Sequence, residues 1–149
     1  MGQQQLLIII LVVIIVGIST IVALNVLNKS FSNSNYDAIQ QDLLLAATNT
    51  QQVWERPLEF YGSSRNFDNL SQEQILKRLN ISGVLSNGEI ENSNARYSIT
   101  GKSSSEIQIT AIPSTGMEEI QMIVCFNSNN STWLIDIGSP IAIKPDSCD

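Results

Sequence analysis

Two hydrophobic periods run along the chain, and they follow a stretch with no period at all. From Leu6 to Leu24, fifteen of nineteen residues are Leu, Ile or Val, and the exceptions Gly17, Ser19, Thr20 and Ala23 are small enough to hide in a helix. There is no polar face, and the first charged side chain is Lys29. Burying one large aliphatic side chain stabilises by roughly 1.5 to 3 kcal/mol, so fifteen represent on the order of 20 to 45 kcal/mol as an upper bound. A soluble monomer does not leave that exposed. At about 1.5 Å of rise per residue, the helix nearly matches a hydrocarbon core of about 30 Å. Membrane insertion is therefore the first expectation. A cleaved secretory signal wants a basic start, a shorter apolar core and a small-residue cleavage pattern. "MGQQQ" has no Lys or Arg and the run is followed by "NVLNKSFSN", so a retained anchor is expected. Its orientation is not signalled, because no basic residue precedes the span.

The helical period appears next. Residues 25–36, "NVLNKSFSNSNY", carry Asn and Ser side chains that compete for backbone hydrogen bonds, and a soft, unwinding junction is expected there. Beyond it Ile39, Leu43, Ala46, Ala47, Thr50 and Trp54 share one helix face, and Pro57 sets the end. The pattern predicts one long helix in two halves, apolar to about Leu24 and amphipathic over about 36–56. "ERPLEFYGSSRNFDNL" reads as a loop, and Ser71 with Gln74 has the capping-box spacing of a short helix bearing Ile75, Leu76 and Leu79. "SGVLSNGEIENSN" reads as turn-rich, with a tight turn at Asn87-Gly88.

Over about 95–137 the period changes to two. "ARYSITG", "SEIQITAI", "EIQMIVCF" and "STWLIDI" each alternate and are separated by hairpin-length turn sequences. The expectation is an α+β fold: a four-stranded antiparallel sheet packed on the amphipathic half-helix. Its covered face should carry Tyr97, Ile99, Ile107, Ile109, Ile120, Met122, Val124, Trp133 and Ile135. Residues 1–28 then form the apolar helix and residues 29–149 a globular head, with a loop and short helix over 57–80.

Composition narrows the chemistry. A net charge of −6 argues against a phosphate-binding basic surface, so no nucleic-acid partner is expected. The low charged fraction and abundant Asn, Ser and Gln suit an exported protein that packs among its own copies. There is no histidine, which removes the usual general base, metal ligand and pH switch, and no nucleophile motif is present. Neither catalysis nor a cofactor is expected. Cys125 and Cys148 are too far apart for a redox CxxC pair and too few for structural zinc. A disulfide between them is the expectation for a small exported domain, against two buried thiols in a reducing compartment. Cys125 has the opposite parity to Met122 and Val124, so the tail "GSPIAIKPDSCD" is expected to cross the outer face of the sheet and be pinned there.

This order of parts, with the N-terminal segment "GQQQLLIIILVVIIVGIS" and the "C…SCD" ending, resembles the bacterial type IV pilins and the related pseudopilins. The resemblance implies a subunit stored in the inner membrane that pilus assembly machinery builds into a helical surface filament. Apolar helices would bundle in the core, with Leu7, Leu11, Ile14, Ile18 and Val22 among the core residues, and self would be the main partner. It also implies processing by a prepilin peptidase after a leader ending in Gly. Here Gly2 follows Met1, so either Gln3 is the first mature residue or Met1 is the mature start. In the second case Gln5 occupies the position where the family has a glutamate, and supplies a hydrogen-bond acceptor without charge. Two other readings stay open: a non-polymerising, single-span anchor for an extracytoplasmic binding domain, and a minor pseudopilin of a secretion system.

Several features have a plainer reading beside the sharp one. "QQQ" serves either assembly and processing or simply as a wettable helix end. Asn-x-Ser/Thr matches at Asn28, Asn69, Asn80, Asn129 and Asn130 are what an Asn- and Ser-rich composition supplies by chance. Glu118, Glu119, Asp136, Asp146 and Asp149 lack the spacing of a calcium loop and read as solvated surface. Trp54 belongs with the core by its helix-face position.

Overall fold

The computed structural model describes residues 2–138. Its contacts divide the chain into two units, residues 1–34 and 35–149. The first helix, α1, spans Gly2–Glu55 and runs through both ranges.

In the first unit, residues 2–31 are all exposed, including every Leu, Ile and Val of the apolar run. The expected unwinding at Asn25–Asn35 does not occur, since helix is unbroken there. Asn and Ser disfavour a helix interior by only some tenths of a kcal/mol each, about 0.7 at most. Long helical segments on either side supply the costly nucleus, and propagation carries the turn across.

In the second unit, α1 ends at Glu55 because Pro57 disfavours helical geometry in the residue before it. The expected face is buried as a set: Ile39, Leu43, Ala46, Ala47, Thr50 and Trp54, joined by Val53. Thr50 is satisfied by donating its hydroxyl to the Ala46 carbonyl at 2.8 Å. Two short 3-10 turns, Leu58–Phe60 and Phe67–Asn69, lead to α2 at Gln72–Arg78. The capping box forms in full: Ser71 Oγ accepts from the Gln74 N–H at 3.2 Å and Gln74 Oε1 accepts from the Ser71 N–H at 3.0 Å. With α2 so fixed, Ile75, Leu76 and Leu79 are buried.

Among the described residues the sheet is an antiparallel meander of six strands in sequential order, two more than the alternation predicts. The additional pair is β1 (Val84–Ser86) and β2 (Glu89–Glu91), followed by β3 (Ala95–Lys102), β4 (Glu106–Pro113), β5 (Ile120–Asn127) and β6 (Thr132–Gly138). Asn87 and Gly88, at φ 53° and 79°, turn β1 into β2, and positive φ at both central residues is what a type I′ hairpin requires. The segment read as turn-rich thus contains the expected tight turn and two three-residue strands around it.

On the helix-covered face Tyr97, Ile99, Ile107, Ile109, Ile120, Met122 and Val124 are buried, as alternation predicts. Trp133 is half-buried, but Ile135 is 41% exposed, against expectation. Ile135 does stand opposite Val124 on the neighbouring strand. Parity puts it on the right face, but its strand lies at the end of the sheet order, where cover is incomplete. Trp54 joins Phe126 and Trp133 in an aromatic cluster, with ring centroids 4.3 Å and 5.2 Å from its own.

Removing the Ser71 hydroxyl leaves the Gln74 N–H without its side-chain acceptor. Ser71→Ala is expected to lower the stability of the head by about 1 kcal/mol. Urea unfolding of the full chain in detergent, followed by near-ultraviolet dichroism, checks this; an unchanged midpoint would show that the cap contributes nothing.

Candidate functional site

The assembly segment expected from the sequence is the helix of the first unit. Leu7, Leu11, Ile14, Ile18 and Val22 rise along it at spacings of three and four and share one face. They are more than half exposed, and so are Ile8, Ile15 and Ile21 on other faces. By length and composition this helix suffices to cross a membrane, and none of its most apolar window is buried within the chain. Thr20 donates to the Val16 carbonyl at 2.8 Å, so its hydroxyl is satisfied inside the helix whatever surrounds it. Gly2, Gln3 and Gln5 are helical and exposed, while Met1 lies outside the described residues.

The head adds a polar clamp between helix and sheet. The Tyr97 hydroxyl donates to Asp42 Oδ2 at 2.6 Å, and Asn92 Nδ2 donates to the same oxygen at 3.2 Å and to the Ser82 carbonyl at 3.0 Å. Nearby, Asn35 Nδ2 donates to the Asn94 carbonyl at 3.2 Å. The alternation places Tyr97 on the covered face; the partnership with Asp42 escaped sequence reasoning, because the two stand 55 residues apart. A helix carboxylate beside the buried Leu43 was the one local signal.

Cys125 is fully buried on β5, with the parity of Ile123 and opposite that of Met122 and Val124. Ile123 and Thr110 are buried as well. No cysteine is free among the described residues. Cys148, and with it the expected tail crossing, lies outside them, as do Asp146 and Asp149. Among the described residues no group of three or more potential metal ligands converges. Trp54, only 6% exposed, belongs to the core.

No family model, no curated protein and no solved structure matches this chain.

Burial pushes the Tyr97 phenol well above its ordinary value of 10.0, and the Asp42 carboxylate adds to the shift. The unfolded chain releases this proton near pH 10.0, whereas the folded head holds it well beyond. The stabilisation is complete below that pH and declines as pH rises toward the folded value. Tyr97→Phe is expected to cost about 1 to 3 kcal/mol at neutral pH and to flatten the loss of stability on the alkaline side. Thermal midpoints of both proteins across the alkaline range give the comparison, and equal slopes would exclude the clamp as the source.

Proposed function

We propose that this chain is the structural subunit of an extracellular helical filament of the type IV pilus kind. It polymerises through its apolar N-terminal helix after a period in the membrane. The observation that carries the reading is a helix that is apolar on all sides and whose described residues 2–31 are all exposed. Lipid covers such a helix during storage, and a bundle of identical helices covers it permanently, because a neighbour's aliphatic face matches every side. Head-to-tail contacts of this type do not close, so the product is an open fibre. Leu44 and Leu45, 52% and 47% exposed on the head's part of α1, extend the apolar surface that such packing would bury.

Within this reading a Cys125–Cys148 disulfide pins the tail over the outer face of the sheet, the face on which Thr110, Ile123 and Cys125 are buried. If Met1 is the mature start, Gln5 offers a neighbour's terminal amine a neutral acceptor; if processing follows Gly2, Gln3 is the first mature residue.

Filaments sheared from producing cells are expected to contain this chain as their main protein, with mass spectrometry reporting its first residue and the state of its cysteines. Ile14→Asp should abolish filaments, since a carboxylate in an apolar core costs several kcal/mol, while the head keeps its near-ultraviolet spectrum. Recovery of the wild-type chain solely as a detergent-extracted monomer would sink the polymer and leave a single-span anchor for the head.

A further inference from the structure

The chain has eight Lys and Arg against fourteen Asp and Glu, and every one of those cations but Lys29 belongs to the head. Acceptors for its cations are therefore plentiful. Yet Arg56, Lys77 and Arg78 stand together, and among the described residues no carboxylate lies within 4.0 Å of any of them. Arg56 and Arg78 line a cleft of about 280 Å³ with Asn49, Gln52, Tyr61 and Asn80. No acidic side chain enters this lining. A second cleft, shared with Lys77, adjoins Arg78 and Tyr61.

The chain goes to some lengths to build this corner. Gly62 is required because a Cβ there would collide with the backbone of Arg56. The Gly62 N–H donates to the Pro57 carbonyl at 2.9 Å, and the Ser64 N–H to the Arg56 carbonyl at 2.9 Å, folding the loop back on the end of α1. Tyr61 and Asn80 both take positive φ, 61° and 56°, a conformation that costs a non-glycine residue free energy. The result sets the Tyr61 ring 5.9 Å from the Arg78 guanidinium carbon. Asn49 Nδ2 donates to the Leu79 carbonyl at 2.6 Å, and Arg56 Nη2 to Gln52 Oε1 at 3.3 Å.

One group is left without an answer. Arg78 Nη1 is shut off from solvent and has no hydrogen-bond acceptor. The C-terminal end of α2 favours a cation at this place, but supplies Nη1 no oxygen. Tyr61, whose ring lies against the guanidinium, is itself 77% exposed. A guanidinium presents a planar fork that matches a carboxylate, and a second cation and amides surround it here.

We propose that this cleft binds a carboxylate ligand, with Arg78 and Arg56 as its cations and Asn49, Gln52 and Asn80 as orienting amides. The site is independent of the filament reading. The carboxylate comes either from a free small acid or from an acidic side chain of a second copy.

The test uses the full chain in detergent, titrated with succinate against sodium chloride of equal ionic strength and followed by the arginine and amide side-chain signals in nuclear magnetic resonance. A saturable response at Arg78 is expected, with a Kd on the order of 1 mM. Arg78→Gln and Arg56→Gln should each weaken it about tenfold, and Arg96→Gln, on β3 beside Glu89, should leave it intact. Arg56 is exposed, so its substitution decides the matter even if Arg78→Gln fails to fold. A dilution series without succinate separates the sources. Concentration-dependent shifts at Arg78 that succinate reverses identify a second copy, and their absence beside saturable succinate binding identifies a free acid. A response that matches sodium chloride, or that survives both arginine substitutions, overturns the proposal.

Discussion

Water on all sides of an aliphatic helix is the one condition this chain has to avoid. Residues 2–31 are all exposed, and no charge interrupts them before Lys29. The backbone meets its hydrogen bonds within the helix, which is what makes a helix tolerable in a medium that supplies none. Thr20 follows the same rule by bonding back to Val16. The segment is therefore suited equally to lipid and to aliphatic neighbours, an equivalence that the proposed filament subunit would need.

The head obeys a different rule, because its helix face and its sheet face cover one another. Ile39, Leu43, Ala46 and Ala47 supply apolar cover on the helix, and Tyr97, Ile109 and Met122 supply it on the sheet. Apolar contact has no direction and by itself tolerates sliding. Asp42, Tyr97 and Asn92 add direction, since a hydrogen bond of 2.6 Å is lost when either side shifts by a fraction of a turn. The clamp thus sets which residues meet, while burial supplies most of the stabilisation.

Periodicity carried much of this into view from the sequence. The helix face, the α2 capping box and the covered residues on β3, β4 and β5 all follow from spacing. The Asn87-Gly88 turn is legible, but the strands β1 and β2 around it are not, because three residues are too few for alternation to register. The junction at residues 25–36 was misread because Asn and Ser propensities are weak against long flanking helices. For Ile135, parity names the face but not whether anything covers it. The clamp and the arginine cleft were out of reach for a common reason. Each unites residues distant in sequence, and the cleft further depends on a loop whose path is set by positive φ at Tyr61 and by Gly62 against Arg56. Spacing along a chain does not report such encounters.

The brevity of β1 bears on how such heads tolerate crowding. A strand at the border of a sheet offers unused backbone donors and acceptors to any similar strand nearby, and long flat borders invite unwanted ladder growth. Val84–Ser86 is only three residues long, and its neighbour β2 carries Glu89 and Glu91. Two copies meeting along this border would find few rungs to share and like charges close by. Amyloid-like stacking is thereby disfavoured at this border of the head, and in the proposed filament contact between copies would be left to the aliphatic helix.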